Sequence, residues 1–433
     1  METRNIGPVE LREAWWLLTP EDRIAGFRLL EPDDGEEFFF DLSARDQADL
    51  ILLLRPAERR LWLRLLPPDD AADLIQEADE DQRDGLLNLL DEATRREVTA
   101  LLAYEEDEAG GLMSSRFARV RPDMKVDEAI SYLRKQAITV ELETIYYVYV
   151  LDSQQRLLGI ITFRELFALP GDRTIRDVMT TELITAHEEL DQEALARLFA
   201  EHDLLAMPIV DDLGRMKGIV TVDDIVDVVE EEATEDIQKY GGMEALDEPY
   251  LRIGFVDLLR KRAGWLSLLF VGGLFTTFAM QSYEDQLAAV GLVVFLPLII
   301  SSGGNSGSQA STLVIRAMTL GEVRLRDWWR VARRELTSGL MLGAVLGTLG
   351  VLRVFGGHLV GLEPHERLGR FAATISLSLI GAVVLGTLAG SMLPLLLRRL
   401  GLDPASASAP LVATLVDVAG IVLYMSIAAI FLF

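Results

Sequence analysis

Five long apolar runs follow one another in the C-terminal part of this chain, and they restrict its fold more than any other feature. They lie near residues 264–282, 287–316, 337–356, 371–397 and 405–433. A helix crosses the hydrocarbon core of a bilayer with about 20 residues, and inside a bilayer every backbone polar group must be hydrogen-bonded within the protein. The runs therefore predict an α-helical membrane domain of five spans, residues 263–433.

Two of these runs contain polar residues that a lipid-facing helix would not carry. Asp417 is the only charged residue of the last run, and a carboxylate at mid-membrane costs roughly 2.5–3.5 kcal/mol on insertion scales. The second run is interrupted by SSGGNSGSQAS, in which Asn305 and Gln309 lie four apart on one helical face. The glycines of this segment are explained by close helix packing, but the amides and Asp417 together indicate an ion path. The alternative for Asp417 is a buried, protonated acid.

Charge divides the chain into two halves. Residues 1–250 carry 26 Lys and Arg against 58 Asp and Glu, whereas residues 251–433 carry 15 against 10. The acidic half argues against nucleic acid as a partner, because it has no excess of cations to replace the counterions of a phosphate backbone. Its negative charge favours the binding of divalent cations, or only keeps the protein soluble. The absence of cysteine excludes thiolate metal sites. The sequence contains no nucleophile–base pair and no phosphate-binding glycine loop, so it gives no indication of an enzyme.

Positive residues predict the orientation of the spans in the membrane. They precede the first run, separate the second from the third, and separate the fourth from the fifth; the main ones are Arg260, Lys261, Arg262, Arg316, Arg324, Arg326, Arg330, Arg333, Arg334, Arg398 and Arg399. This distribution predicts a multi-pass protein of the cell (inner) membrane. The N-terminal half is then cytoplasmic and the C-terminus lies outside.

Residues 1–112 predict an acidic, all-α N-terminal domain. Leucine-rich patches alternate with breaks such as LLTPEDR, LRPAERR and LLPPDDAADL, and proline followed by acids is typical of helix starts. Repeated patches predict a helical-repeat superhelix, although no single period fixes the repeat length, and a plain helical bundle is the alternative. Farther along, residues 238–262 predict a connecting (plug) helix, with the helix itself over about 245–262.

Residues 113–237 contain a duplicated α/β unit. Both copies have a helix, an apolar strand, a turn, a second strand of Gly-Ile-Ile/Val-Thr type and another helix, as in TIYYVYVLDSQQRLLGIITFRELF and PIVDDLGRMKGIVTVDDIVDVV. The pattern resembles a tandem pair of CBS domains, a module that often binds ATP or another adenine nucleotide. That resemblance implies nucleotide contacts at Thr221 and Asp224; the first copy has Thr162 and Glu165 there, and a structural pseudo-dimer without nucleotide is the alternative.

The membrane motifs then resemble those of a known family. The stretches PLIISSGGNSGSQASTLVIRAM and DPASASAPLVATLVDVAGIVLY, with the CBS pair and the acidic N-terminus, are similar to the MgtE family of magnesium channels. The resemblance implies a homodimer whose pore site includes Asp417, the backbone carbonyl of Ala413, and the polar residues Asn305 and Gln309. Ala409 departs from members that carry Asn at this position.

Mg²⁺ gives up its water reluctantly, so a pathway for it needs few carboxylates, and a single Asp per subunit fits. The resemblance also implies regulation, with cytosolic Mg²⁺ binding acids between the domains and closing the pore. The acids it implies are Asp224, Asp227, Glu232, Glu235 and Asp236, with Glu105–Glu108 as a further hypothesis for the N-terminal domain.

The sequence thus predicts a Mg²⁺-selective channel closed by cytosolic Mg²⁺. Two other hypotheses stay open: a secondary divalent-cation transporter coupled to a proton or sodium gradient, and a non-conducting membrane sensor. The four histidines show no metal-ligand spacing, so no role is assigned to them.

Overall fold

The computed structural model describes residues 7–139, 142–144, 146–246, 248–284, 291–360 and 368–432. The chain divides into two compact units, Met1–Glu231 and Glu232–Phe433. The first unit begins with helices and continues as a mixed α/β structure, and the described residues of the second contain helices and no strands. The multidomain fold class predicted from the sequence is confirmed.

Eight short helices open the first unit, and their starts are evenly spaced. Their N-caps lie twelve residues apart, at Gly7, Thr19, Glu31, Ser43, Arg55, Pro67, Asp79 and Asp91. Proline often follows the cap, where its missing N–H and fixed φ suit a helix start. The helices are α1 Pro8–Ala14, α2 Pro20–Phe27, α3 Pro32–Phe40, α4 Ala44–Leu53, α5 Pro56–Leu63, α6 Pro68–Glu77, α7 Glu80–Leu87 and α8 Glu92–Leu101.

Two of these helices form one repeat of about 24 residues, the period that the sequence left undetermined. Alternate helices pack in succession, α2 on α4, α4 on α6 and α6 on α8. The side chain of Arg59 donates to two carbonyls at the end of α4, and Arg83, at the equivalent position of the next repeat, donates to two at the end of α6. This packing is typical of a helical-repeat superhelix. Its core includes Phe38, Phe39, Leu50, Ile51, Leu63, Leu74 and Ile75.

Two three-stranded sheets of identical topology follow. In the first, β1 (Arg119–Val120) is parallel to β2 (Tyr147–Leu151), which is antiparallel to β3 (Leu157–Thr162). In the second, β4 (Ala186–His187), β5 (Ala206–Val210) and β6 (Met216–Thr221) repeat this arrangement. The helices of the two copies are α9 Val126–Thr139, α10 Phe163–Ala168, α11 Ile175–Val178, α12 Gln192–His202 and α13 Val222–Tyr240. The predicted duplication is confirmed.

The segment predicted as a connecting helix folds differently. α13 starts directly after β6 and continues to Tyr240, and Gly242, with a φ of 77°, follows its end in a conformation that glycine adopts without strain. The described residues between Gly242 and Gly254 are not helical, and the next helix, α14, is Phe255–Ser282. The prediction of a separate helix over 245–262 is therefore wrong, because α13 supplies the connection and residues 255–262 open the first membrane helix.

The second unit contains four more long helices: α15 Leu296–Thr319, α16 Trp328–Leu359, α17 Leu368–Arg399 and α18 Ala409–Phe431. Of the described segments, four are long and apolar enough to cross a membrane: Phe255–Ser282, Leu325–Leu359, Leu368–Arg399 and Ala409–Phe431. α15 has 24 residues and is long enough, at about 36 Å for a rise of 1.5 Å per residue, but it is more polar. It packs against α17 and α18.

Candidate ion pathway and cation-binding sites

Helices α15 and α18 meet at Gly304, and this contact brings Ala413 and Asp417 against α15 at the residue before Asn305. A Cβ built on Gly304 would lie 3.4 Å from the Cβ of Ala413 and 3.9 Å from a carboxylate oxygen of Asp417. Asn305 is the next residue of α15, and Gln309 follows one turn later. Both amides are exposed within the single chain, and Asp417 is half-buried. The structure therefore places the carboxylate of α18 beside the polar segment of α15.

Glycines allow α15 to approach its neighbours this closely. A Cβ on Gly303 would lie 2.8 Å from a methyl group of Val416 on α18 and 3.0 Å from the carbonyl of Ala382 on α17. Gly307, four residues later, makes the equivalent contacts with Val412 and Gly386. The packing explanation of these glycines is therefore correct, and it also fixes which face of α15 is left for the amides.

Ala409, where the sequence departs from some family members, begins α18. Its backbone carbonyl accepts a hydrogen bond from the hydroxyl of Ser308 at 3.4 Å, and Ser311 donates to the carbonyl of Ala407 at 2.8 Å. These bonds tie α15 to the start of α18. Ala409 thus offers no polar side-chain atom to an ion.

Asp417 is not part of a preformed metal cage. Among the described residues, no group of three or more His, Asp or Glu side chains is arranged to hold a metal ion. A bare Mg²⁺ needs six oxygen ligands in near-octahedral geometry. One carboxylate per chain suits an ion that keeps most of its water.

Thr221 and Asp224, predicted to contact nucleotide, lie at the start of α13. A carboxylate oxygen of Asp224 accepts hydrogen bonds from the Thr221 hydroxyl at 2.7 Å and from the Thr221 backbone N–H at 3.2 Å. Thr162 and Glu165 form the same pair in the first copy. In both copies, one carboxylate oxygen of the acid accepts hydrogen bonds from the preceding threonine.

A cluster of buried carboxylates lies in the first unit, and of its members only Asp224 was predicted from the sequence as a cation ligand. Its members come from α6, from the segment before β2 and from the start of α13: Asp69, Asp70, Asp73, Glu143 and Asp224. Burial raises the pKa of every member, and repulsion from neighbouring acids adds to this for all but Asp69. The pKa is raised to about 6 for Asp70, about 8 for Asp73, and about 7 for Glu143 and Asp224. We call this group the α6 acid cluster.

Asp69 is only partly stabilised by the protein, because burial outweighs the charge of Arg116 and the hydrogen bonds that would lower its pKa. Its side chain is nine-tenths buried, and its Oδ1 atom has no hydrogen-bond partner among the described residues. Ser114, which lies within hydrogen-bonding reach of Asp69, donates its one hydroxyl proton to Glu143 at 3.1 Å. A buried oxygen without a donor is costly, so protonation of the α6 acid cluster is favoured.

A signal for this cluster was present in the sequence. The stretch LLPPDDAADL was interpreted as helix-start chemistry, which accounts for Asp69 and Asp70 in the first turn. Asp73 lies beyond the first turn and four residues after Asp69, on the same face of α6. Glu106, within the Glu105–Glu108 hypothesis, also helps to raise the pKa of Asp73.

The remaining predicted regulatory acids lie along α13. Burial, with repulsion from Glu230 and Asp223, raises the pKa of Asp227. In the second unit, Glu232 is half-buried, Glu235 pairs with Lys239, and Asp236 accepts a hydrogen bond from the hydroxyl of Thr319 at 3.3 Å. Glu235 and Asp236 therefore have protein partners in this structure, and their role as cation ligands stays a prediction.

Comparisons with known proteins agree with this architecture. A family model described as MgtE, divalent cation transporter, matches residues 296–427; the MgtE intracellular N domain matches 6–107, and the CBS domain matches 109–171 and 175–231. The magnesium transporter MgtE of Thermus thermophilus is 42% identical over 337 residues, 78% of this chain and 72% of that protein. The magnesium transporter MgtE of Enterococcus faecalis is 34% identical over the same shares of both chains. A crystal structure of the cytosolic domain of the Mg²⁺ channel MgtE in complex with ATP is 39% identical, covers 52% of this chain and 90% of that one, and has a TM-score of 0.48.

Proposed function

We propose, from the premise that this chain belongs to the MgtE family of divalent cation transporters, that it conducts Mg²⁺ across the cell membrane. The pathway is lined by α15 and α18. The observation that supports this proposal is the position of the Asp417 carboxylate near Gly304 of α15, the helix that also carries the exposed amides of Asn305 and Gln309. Hydrated Mg²⁺ suits such a site because it can keep its water while the oxygens accept hydrogen bonds from it.

A homodimer completes the pathway in this proposal. One chain supplies one pathway carboxylate, and a two-fold axis would bring two Asp417 side chains to the same pore. Asn305 and Gln309, exposed within the single chain, would then face the same space. The positive-inside pattern orients the first unit to the cytoplasm.

Cytosolic Mg²⁺ closes the pathway by neutralising acids of the soluble part. Moving a gate from 1:99 to 99:1 requires about 5.5 kcal/mol of differential binding, and a weak site at tenfold its Kd supplies only about 1.4 kcal/mol. Several sites are therefore needed. The α6 acid cluster, together with Asp227, Glu232, Glu235 and Asp236, offers enough carboxylates. An adenine nucleotide at Thr221 and Asp224 would bring further negative charge, so it would bind there with Mg²⁺.

Recording from the purified protein in a planar bilayer tests the function. Mg²⁺ is the only permeant cation, and its concentration on the cytosolic side is raised from near zero to about 10 mM, the millimolar range of a weak site. Discrete Mg²⁺ currents that disappear at high cytosolic Mg²⁺ support the proposal. Silence in the bilayer, with uptake into liposomes only under a proton or sodium gradient, would instead show a coupled transporter.

Neutralising the acids of α6 is expected to weaken closure of the ion pathway by cytosolic Mg²⁺. The triple variant Asp69→Asn, Asp70→Asn, Asp73→Asn removes three carboxylates, and the cytosolic Mg²⁺ concentration for half-closure should rise at least about tenfold. The matched control is Asp33→Asn, Asp34→Asn, Glu37→Gln, because these acids occupy the same positions of α3, another helix that begins with Pro-Asp-Asp. Equal shifts in both variants would remove the cluster from the gating mechanism.

Without divalent cations, the thermal stability of the protein is expected to fall as pH rises from about 5 to about 8.5. The pKa is about 8 for Asp73 and about 7 for Glu143 in the folded protein, above the values of roughly 4 in an unfolded chain. Protonation of these carboxyl groups therefore stabilises the folded protein. The contribution is complete at pH values below the pKa of the unfolded chain, and it is lost as the pH rises through the pKa of the folded protein. Unfolding scans of the full chain in detergent measure this, and the gain in Tm from Mg²⁺ should grow with pH. A gain independent of pH would contradict the assignment.

A further inference from the structure

The last two residues of α13, Lys239 and Tyr240, connect this helix to both helices of the candidate pathway. The ammonium of Lys239 lies 2.7 Å from a carboxylate oxygen of Asp403 and also pairs with Glu235. Burial alone would lower the pKa of Lys239, but hydrogen bonds to Asp403 and Glu235 outweigh it and raise the pKa. One permanent positive charge is thus shared between two carboxylates.

Tyr240 makes the second connection. Its hydroxyl donates to the backbone carbonyl of Ser308 at 2.8 Å and is also hydrogen-bonded to the hydroxyl of Thr312. Its ring packs against Ile315, Ala405 and Ala407. Ser308 precedes Gln309 on α15, so Tyr240 is attached to the pathway helix directly beside one of its exposed amides.

Asp403 begins the segment that leads into α18. One of its oxygens accepts the N–H of Ala405 at 2.8 Å and caps the short 3₁₀ helix Pro404–Ser406. Gly242, just after α13, lies against Pro410 in the first turn of α18, where a Cβ would be 3.2 Å from the proline ring. Movement at the end of α13 therefore acts on the entry to the helix that carries Asp417.

We propose that Lys239 is a switchable link between the regulatory acids of α13 and the ion pathway, with Tyr240 as its fixed anchor. The link rests on the proposed function, because it explains how cation binding at Glu235 closes the pathway. Without divalent cations, Glu235 and Asp403 compete for the ammonium of Lys239. When Mg²⁺ binds Glu235, it repels the ammonium and leaves it to Asp403 alone. The ion pair to the entry of α18 then tightens and holds the pathway closed.

Lys239→Gln and Asp403→Asn test the link in the full-length protein. Both remove the ion pair, while Asn at 403 keeps the side-chain oxygen that caps the 3₁₀ helix. Each variant should raise the Mg²⁺ concentration for half-closure by about tenfold or more, whereas Lys239→Arg, which keeps the charge, should stay within about threefold of the parent. The control is Lys125→Gln, an exposed lysine of the first unit. Flux near zero Mg²⁺ shows that each protein is folded.

The outcomes separate the link from the proposed function. If the parent protein does not close with Mg²⁺, the gating proposal fails and the link with it. If the parent closes and Lys239→Gln closes at the same Mg²⁺ concentration, the link alone is overturned. Glu235→Gln tests the competition, because it frees the ammonium for Asp403 and should lower flux near zero Mg²⁺. Unchanged flux in that variant would contradict the proposed competition between Glu235 and Asp403 for the ammonium of Lys239.

Tyr240→Phe tests the anchor. The ring keeps its contacts with Ile315, Ala405 and Ala407, but the hydrogen bonds to α15 are lost. We expect a rise of about three- to tenfold in the Mg²⁺ concentration for half-closure, because one or two neutral hydrogen bonds are lost. A response identical to that of the parent protein would show that the hydroxyl takes no part.

Discussion

Asp417→Asn is expected to abolish Mg²⁺ flux while leaving the protein folded. Asparagine has nearly the same size and keeps one carbonyl oxygen, but it removes the negative charge that lies against Gly304. A hydrogen bond to a charged group contributes about 1.5–3 kcal/mol. That is roughly a ten- to hundredfold effect per subunit, and more in a dimer with two such side chains at one pore. Bilayer currents or Mg²⁺ uptake into liposomes measure the loss.

The control for this variant lies on the same helix. Ser426→Ala removes only an exposed hydroxyl that bonds to the carbonyl of Val422 within α18, so flux should stay at the parent level. Size-exclusion chromatography of both variants shows whether assembly is retained. Full Mg²⁺ flux through a well-folded Asp417→Asn protein would remove Asp417 from the pathway.

Gly390→Ala is expected to disrupt the membrane domain itself. A Cβ at this position would lie 2.0 Å from the backbone carbonyl oxygen of Gly307 and 2.8 Å from its carbon. A backbone atom cannot rotate away as a side chain does, so α15 and α17 would have to separate. Overpacking typically costs about 1–3 kcal/mol, and a contact with rigid backbone belongs at or above the upper end of that range. Thermal unfolding in detergent and the yield of monodisperse protein measure this effect.

Gly420→Ala is the matched control for Gly390→Ala. Gly420 is also buried within a membrane helix, but a Cβ there would meet no atom within 4 Å. We expect its Tm to remain close to that of the parent protein. Equal stability of the two variants would mean that α15 and α17 do not approach each other as closely as the structure shows.

Much of the candidate pathway was predictable from local sequence. Asp417 stands alone in an apolar run, and Asn305 and Gln309 share a helical face, so the cost of burying polar groups in lipid marked them without any structure. The duplicated CBS unit was equally clear, because alternation of strands and helices repeats in the chain itself. The helical-repeat domain was recognised, but not its 24-residue period, although proline recurs at positions 8, 20, 32, 56 and 68. The helices after Ser43, Asp79 and Asp91 begin without proline, so the interval is interrupted in the sequence.

The connecting segment shows where local pattern was insufficient. The apolar spacing between 245 and 262 suggested a helix, yet the described residues from 245 to 254 are not helical and the helix begins only at Phe255. The acidic run before it belongs to α13, the last helix of the second CBS copy, which continues without a break to Tyr240. Helix boundaries depend on capping and on the neighbours available at each end, and these are settled by tertiary contacts.

The sequence by itself determined the CBS pair and the apolar helices of the second unit, and it singled out Asp417 as the candidate pathway carboxylate, because each follows from composition and periodicity along one segment. Only the tertiary structure decided which distant charges meet. Asp69 and Glu143 lie far apart in the chain but share one buried environment. Lys239 forms an ion pair with Asp403, which is also distant from it in the sequence. Charge interactions act through space and depend on burial, so no pattern along the chain could have revealed these pairs.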